Sequence, residues 1–80
     1  MYYVYVLSKG PKGPLYIGYS RDVEQRLRQH KLSDKDWQLI YYEAYVQEKS
    51  ARDRERKLKM YGSAWRGLKQ RIAASLMQTA

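Results

Sequence analysis

Two tyrosine-bearing segments separated by a turn constrain the fold of this chain more than any other feature. Residues 2–8 (YYVYVLS) and 15–20 (LYIGYS) are rich in Tyr, Val, Leu and Ile, which favour pleated, half-buried surfaces. Residues 10–14 (GPKGP) contain two Gly and two Pro and cannot continue a strand. The sequence therefore predicts a β-hairpin at its start.

Alternation along each strand predicts which side chains share a face of the sheet. In the first strand the odd-numbered residues, including Tyr5, lie on one face and the even-numbered residues on the other. In the second strand Tyr16 and Gly18 share a face. Because a hairpin joins these strands, we expect Tyr5 and Tyr16 to lie near each other. Gly18, in mid-strand, permits a close approach to the backbone or marks a bulge.

A helix is predicted directly after the hairpin. Ser20 is a suitable N-cap residue. Val23 and Leu27 are spaced i, i+4 and would form the buried stripe of this helix. Arg26 and His30 have the same spacing and would share a different face.

The second half of the chain predicts a third strand followed by two helices. The strand spans residues 37–46, and alternation places Leu39 on the face of Tyr41. A polar break follows, and a helix begins at about Ser50 and runs to about residue 61. Gly62 would stop that helix, and Ser63 would cap the next one.

The last helix carries an apolar stripe that should face the core. Its members are Trp65, Leu68, Ile72 and Leu76. The predicted order is therefore β–β–α–β–α–α. This is an α+β fold, in which three helices flank a small, mainly antiparallel three-stranded sheet.

Charge and composition limit the partners and the kinds of site. The 80 residues form a single domain, 1–80, with 16 Lys and Arg against 8 Asp and Glu, a formal charge of +8 and a pI near 9.8. Such a balance favours a polyanionic partner, with nucleic acid first and an anionic membrane surface second. No apolar run approaches a membrane span and no signal peptide is visible, so we expect a soluble, cytoplasmic protein without a membrane partner. With no Cys, disulfides and thiolate metal sites are excluded.

Five polar side chains are the best candidates to converge on one site. They are Tyr5, Tyr16, Arg26, His30 and one carboxylate from the second half of the chain. This set lacks the pattern of a Ser/His/Asp or Cys/His enzyme. It suits phosphate chemistry, because Arg binds phosphate oxygens bidentately and a carboxylate can hold a hard divalent cation.

The order and spacing of these residues resemble the GIY-YIG nuclease superfamily over nearly the whole chain. The matching positions are Tyr5, the run Tyr16-Ile17-Gly18, the pair Arg26 and His30 in an Arg-x-x-x-His pattern, and Glu55 in the later basic helix. The fold that the resemblance implies agrees with the α+β layout predicted above. The first motif departs from the family, since it reads Tyr3-Val4-Tyr5. Many members also carry a late Asn, whereas this chain contains no Asn.

What the resemblance implies is metal-dependent hydrolysis of DNA phosphodiester bonds. Glu55 would bind a single Mg²⁺ or Mn²⁺. Tyr5 would orient the attacking water or act as its general base, and Tyr16 would hydrogen-bond in the same network. Arg26 would position the water or stabilise the charged phosphoryl group, and His30 would support Tyr5 or relay a proton.

Substrate contacts are assigned to Gly18, Arg28, Arg52 and Lys59. A wider basic run is expected to contact the DNA backbone without reading its sequence. It comprises Arg52, Arg54, Arg56, Lys57, Lys59, Arg66, Lys69 and Arg71. Two alternatives remain open: a catalytically weak nucleic-acid-binding module with the same fold, and a basic adaptor that binds a protein through exposed tyrosines.

Overall fold

The computed structural model describes residues 1–10 and 12–73 and confirms the predicted α+β fold. The elements are β1 (Tyr2–Ser8), β2 (Leu15–Ser20), α1 (Val23–Ser33), β3 (Gln38–Tyr45), α2 (Glu48–Met60) and α3 (Gly62–Arg71). Two parts of the predictions, Pro11 in the turn and Leu76 in the last apolar stripe, lie outside the described residues. Among residues 1–10 and 12–73, no helix has the length and apolar character that crossing a membrane requires.

β1 is the central strand of a three-stranded antiparallel sheet with the order β2-β1-β3. Tyr5 pairs with Gly18 of β2 on one side and with Tyr42 of β3 on the other. Central position makes β1 the most buried strand, and Tyr5 is only 1% exposed. The predicted hairpin therefore places Tyr5 in the interior of the sheet.

A bulge shifts the register between β1 and β3. Val6 pairs with Tyr41, whereas the next residue, Leu7, pairs with Leu39, so Ile40 is an extra residue on β3. Ile40 packs against the same core as Tyr41, and Leu39 lies opposite Leu7 on the other face. The prediction that Leu39 shares the face of Tyr41 is therefore wrong, because the extra residue interrupts the alternation.

The hydrophobic core lies between one face of the sheet and the two C-terminal helices. Val4 and Val6 supply its sheet side. Its buried helical residues are Ala51 and Leu58 of α2 and Leu68 and Ile72, at and just after α3. The predicted stripe of the last helix is confirmed for Leu68 and Ile72, with Trp65 half-buried beside them.

The predicted boundaries of α2 and α3 need correction. α2 begins at Glu48, slightly earlier than predicted, and Tyr61 is at once its C-cap and the N-cap of α3. Tyr61 is extended (φ −113°, ψ 111°), which breaks the helical run, and its N–H donates to the carbonyl of Lys57 (2.9 Å). Gly62 therefore begins α3 instead of stopping α2, and Ser63 lies in the first turn.

α1 lies over the opposite face of the sheet, which carries Tyr5. Its N-cap is Asp22, whose carboxylate accepts a hydrogen bond from the backbone N–H of Gln25 (3.0 Å). The predicted cap, Ser20, instead accepts from the N–H of Asp22 (2.9 Å) and so orders the turn that precedes the helix. The helix thereby starts at a fixed point, and its last turn reaches the tyrosines.

Candidate active site

Three predicted site residues form an aromatic cluster on the α1 side of the sheet. The ring centroids of Tyr16 and His30 are 4.4 Å apart, and Tyr5 lies 6.2 Å from Tyr16 and 6.5 Å from His30. Tyr5 is buried, whereas Tyr16 is 38% exposed. The cluster therefore has a buried inner tyrosine and a solvent-facing outer one.

Gly18 makes this arrangement of tyrosines sterically possible. A Cβ atom at position 18 would stand 2.6 Å from the Tyr5 hydroxyl oxygen and 2.9 Å from Cε1 of Tyr16. Real Cβ atoms essentially never approach so closely, so a side chain here would displace one of the rings. The sequence predicts a close approach at Gly18, and in the structure the approaching groups are the tyrosine rings, with Gly18 itself buried.

The surroundings of Tyr5 keep its phenol protonated. Burial is the main cause that raises the pKa of Tyr5 to about 12. Tyr16, to which Tyr5 hydrogen-bonds, and the carboxylate of Glu55 add to this rise, while the guanidinium of Arg26 opposes it. A general base would need the opposite shift. At neutral pH Tyr5 is thus a neutral hydrogen-bonding group.

α2 brings Glu55 from the far half of the chain to the tyrosines. Its carboxylate is close enough to influence the ionisation of Tyr5, and its side chain is 21% exposed. One turn later, Lys59 places its Nζ 3.4 Å from the Glu55 carboxylate and 5.8 Å from the centroid of the Tyr16 ring. Arg26 is exposed on α1, where its Nη1 donates to Gln29 (3.3 Å). The other four predicted catalytic residues therefore all lie near Tyr5.

Glu55 is the carboxylate in this arrangement that could hold a cation. Among residues 1–10 and 12–73, no group of three or more His, Cys, Asp or Glu side chains is placed to share a metal ion. Mg²⁺ usually keeps several waters and is bound through one or two carboxylates together with substrate phosphates. A half-buried carboxylate that faces a phenol and an open groove fits this single-carboxylate mode.

The predicted substrate-binding residues lie in three places. Gly18 is buried against the two tyrosine rings of the cluster. Arg52 and Lys59 line the same surface groove of α2 as Glu55. Arg28 lies elsewhere, on the outer surface of α1 with Gln29 and Lys31. Since two residues along a helix are about 200° apart, Arg28 points away from the face of Arg26 and His30.

Arg54, part of the predicted basic run, is engaged inside the protein. It makes a two-pronged ion pair with Glu43 of β3, with its Nε 3.0 Å and its Nη2 3.1 Å from the two carboxylate oxygens. Tyr41 and Tyr45 also donate their hydroxyls to Glu43. Burial alone would raise the pKa of Glu43, but these hydrogen bonds hold it below its ordinary value. This cluster joins α2 to the sheet.

Sequence reasoning missed Trp37 and Lys9 as neighbours of the site. The ring of Trp37 lies 6.1 Å from His30 and 6.4 Å from Tyr16, centroid to centroid. Lys9 places its Nζ 4.7 Å from the centroid of the Trp37 ring. The available signal was a large aromatic residue at the end of a polar link, outside any apolar stripe.

Comparison with known proteins gives one match. The family model described as the GIY-YIG catalytic domain matches residues 1–70 of the chain. No curated protein and no solved structure gives a significant match. The matched span contains β1 to α2 and nearly all of α3, and thus every predicted site residue.

Proposed function

The chain belongs to the GIY-YIG family, a family of endonucleases, and we propose that it hydrolyses DNA phosphodiester bonds with one bound divalent cation. The observation that supports this most is the convergence of Tyr5, Tyr16 and His30 with Glu55, which lies in the other half of the sequence. Binding to phosphate alone would need cations, not a buried phenol next to a carboxylate. The proposed substrate is read by its backbone or shape, not by its bases.

Each residue has a role that follows from its surroundings. The neutral hydroxyl of Tyr5 orients the attacking water, and Tyr16, at the solvent edge, continues the hydrogen-bonding network. Mg²⁺ or Mn²⁺ bound by Glu55 would supply a Lewis acid that stabilises charge on the leaving oxygen. His30, in ring contact with Tyr16, holds that tyrosine in place or relays a proton.

Cationic side chains around the groove would position the phosphates. Arg26 on α1 can bind phosphate oxygens bidentately. On α2, Arg52 and Lys59 line the groove beside Glu55, and Lys59 can exchange its contact with that carboxylate for a phosphate. Because such contacts release counterions, DNA affinity should fall steeply as salt is raised.

A second function, a nucleic-acid-binding module with weak or no catalysis, is favoured by one contact. Lys59 pairs with Glu55 and so competes with a cation for the same carboxylate. If that pair persists on DNA, the groove binds phosphate without cutting it. The adaptor alternative predicts no salt-sensitive affinity for DNA.

Cleavage assays with a matched pair of variants separate these functions. Glu55→Gln is compared with Glu48→Gln, since both residues lie on α2 and pair with a cation one turn later. Single-stranded, duplex and branched DNA are incubated with Mg²⁺, Mn²⁺ or EDTA, and affinity is measured at two salt concentrations. We expect metal-dependent cutting that falls about 100-fold or more in Glu55→Gln. Glu48→Gln removes the same charge from the same groove but keeps the Glu55 carboxylate, so it should retain metal-dependent cutting.

The outcomes are distinct. If the wild-type protein and Glu55→Gln cut all substrates equally little while DNA affinity remains salt-sensitive, the chain is a binding module. Equal loss of cutting in Glu48→Gln and Glu55→Gln would mean that charge on α2, not the position of Glu55, controls activity. Salt-insensitive or undetectable DNA binding would leave the adaptor alternative.

A further inference from the structure

Lys9, Asp34 and Trp37, which we call the lysine clamp, join two separate connections of the chain, the turn between β1 and β2 and the link between α1 and β3. Lys9 directly follows β1, Asp34 is the C-cap of α1, and Trp37 immediately precedes β3. The ammonium of Lys9 is ion-paired with the Asp34 carboxylate and lies 4.7 Å from the centroid of the Trp37 ring. The Lys9 and Asp34 side chains are 28% and 33% exposed, so this contact is partly shielded from water.

The lysine clamp contacts both the side chain and the backbone of His30. The Trp37 ring lies 6.1 Å from the imidazole of His30, which on another side contacts Tyr16 at 4.4 Å, both between centroids. The backbone N–H of Asp34 donates to the carbonyl of His30 (3.0 Å). His30 therefore lies between Tyr16 and Trp37 at the end of a helix that Asp34 terminates.

A second lysine-over-tryptophan pair shows what such a contact is like away from the site. On α3 the Nζ of Lys69 lies 5.9 Å from the centroid of the Trp65 ring. These two residues lie one turn apart on the same helix, so their contact does not hold two elements together. The Lys9–Trp37 contact instead spans most of the sequence between β1 and β3, and its aromatic partner touches the candidate active site.

We propose that Lys9, Asp34 and Trp37 are positioning residues, which hold the imidazole of His30 against Tyr16 in the orientation that DNA cleavage requires. The role in cleavage rests on the function proposed above. Without the clamp, the last turn of α1 and the ring of Trp37 would be free to move relative to the hairpin. Small displacements of a positioned group are costly, since about 1 Å can reduce a rate about 100-fold.

The first test observes His30 directly and needs no activity. His30 is the only histidine of the 80 residues, so its imidazole NMR signals can be assigned without further experiments. Lys9→Met is compared with Lys69→Met, because each removes one positive charge and one lysine-over-tryptophan contact. We expect the His30 ring signals to shift in Lys9→Met and not in Lys69→Met. Lys9→Arg keeps the charge and can still stack on Trp37, so it should restore the wild-type signals.

The second test separates kcat from KM on a cleavable DNA. Lys9→Met should lower kcat about tenfold with little change in KM, whereas Lys69→Met should change KM alone. Asp34→Asn, with Asp36→Asn as its control, is the milder pair and is used if Lys9→Met does not fold by circular dichroism.

Two results would overturn the proposal. One is a set of His30 signals that moves no more in Lys9→Met and Asp34→Asn than in their controls. The other is a shift of those signals with kcat unchanged. If the wild-type protein does not cleave DNA, the proposed function fails, and the His30 signals alone decide whether the clamp positions this residue.

Discussion

Replacing Gly18 with Ala is expected to destabilise the fold by about 1–2 kcal/mol. The added Cβ would stand 2.6 Å from the hydroxyl oxygen and 2.7 Å from Cζ of Tyr5, and 2.9 Å from Cε1 of Tyr16. Favourable carbon contacts lie at about 3.5–4.0 Å, so a ring must move by about 1 Å. Tyr5 is 1% exposed in the central strand and has little room to do so.

The magnitude follows from two opposing effects. Overpacking of a filled interior typically costs about 1–3 kcal/mol. Ala also reduces the conformational entropy of the unfolded chain, which offsets this by about 0.4–1 kcal/mol. Because the methyl group meets two rings at once, the steric cost should prevail.

Urea unfolding of Gly18→Ala and Gly67→Ala measures this difference. Gly67 lies inside α3, where an added Cβ meets nothing within 4 Å. Ala should therefore stabilise that helix by about 0.5–1 kcal/mol. In a Tyr5→Leu background, which removes the ring, the penalty of Gly18→Ala should fall by at least half. A loss below about 0.5 kcal/mol in Gly18→Ala, or an equal loss in both backgrounds, would refute the steric argument.

Three further predictions concern charge, ionisation and the core. Glu43, whose pKa is held low by its hydrogen bonds, stabilises the fold above its ordinary pKa of about 4.3 and loses this effect as pH falls through its folded-state value. Glu43→Gln should therefore lower Tm at pH 7 and make Tm fall less steeply as the pH is lowered. A fall of Tm in acid as steep as that of the wild type would contradict this. Tyr5, Tyr41 and Tyr45 have pKa values raised to about 12, so they stabilise the fold fully below about pH 10 and lose this effect as pH rises towards 12. In an alkaline titration followed by phenolate absorbance, part of the ionisation should occur only near pH 12. Urea should abolish this part and Tyr5→Phe should reduce it; its absence would disprove the burial of these hydroxyls. Leu68→Ala, at a site 1% exposed, should cost about 2–5 kcal/mol in urea unfolding, and a loss under 1 kcal/mol would place Leu68 outside the core.

Local sequence predicted the hairpin and the last helix because their signals are local. Two Gly and two Pro between Tyr-rich runs permit little but a turn, and the spacing of Leu68 and Ile72 identifies one helical face without knowledge of its partner. The bulge at Ile40 was not predictable, because it is a property of how β3 pairs with β1. Strict alternation placed Leu39 on the wrong face for this reason.

The sequence predicted which residues lie at the candidate site, but not the residues that pack around them. Tyr5, Tyr16 and His30 follow from the hairpin and the helix after it, and the structure brings them together. Trp37 and Lys9 were missed because their contact joins residues 28 positions apart, in segments without a periodic pattern. No short-range rule relates such residues.

The single-residue joint between α2 and α3 has a consequence for how this chain can vary in length. Tyr61 is the one residue that separates the two helices. Adding or deleting one residue there would change the direction and position in which α3 leaves α2, and so would displace Leu68 from its place in the core. Length changes should be tolerated far better in the turn between β1 and β2, where a longer loop costs little closure entropy. The length of the chain at Tyr61 is therefore fixed, whereas a tag or a label can be inserted in the hairpin turn beyond Lys9, which must keep its contacts with Asp34 and Trp37.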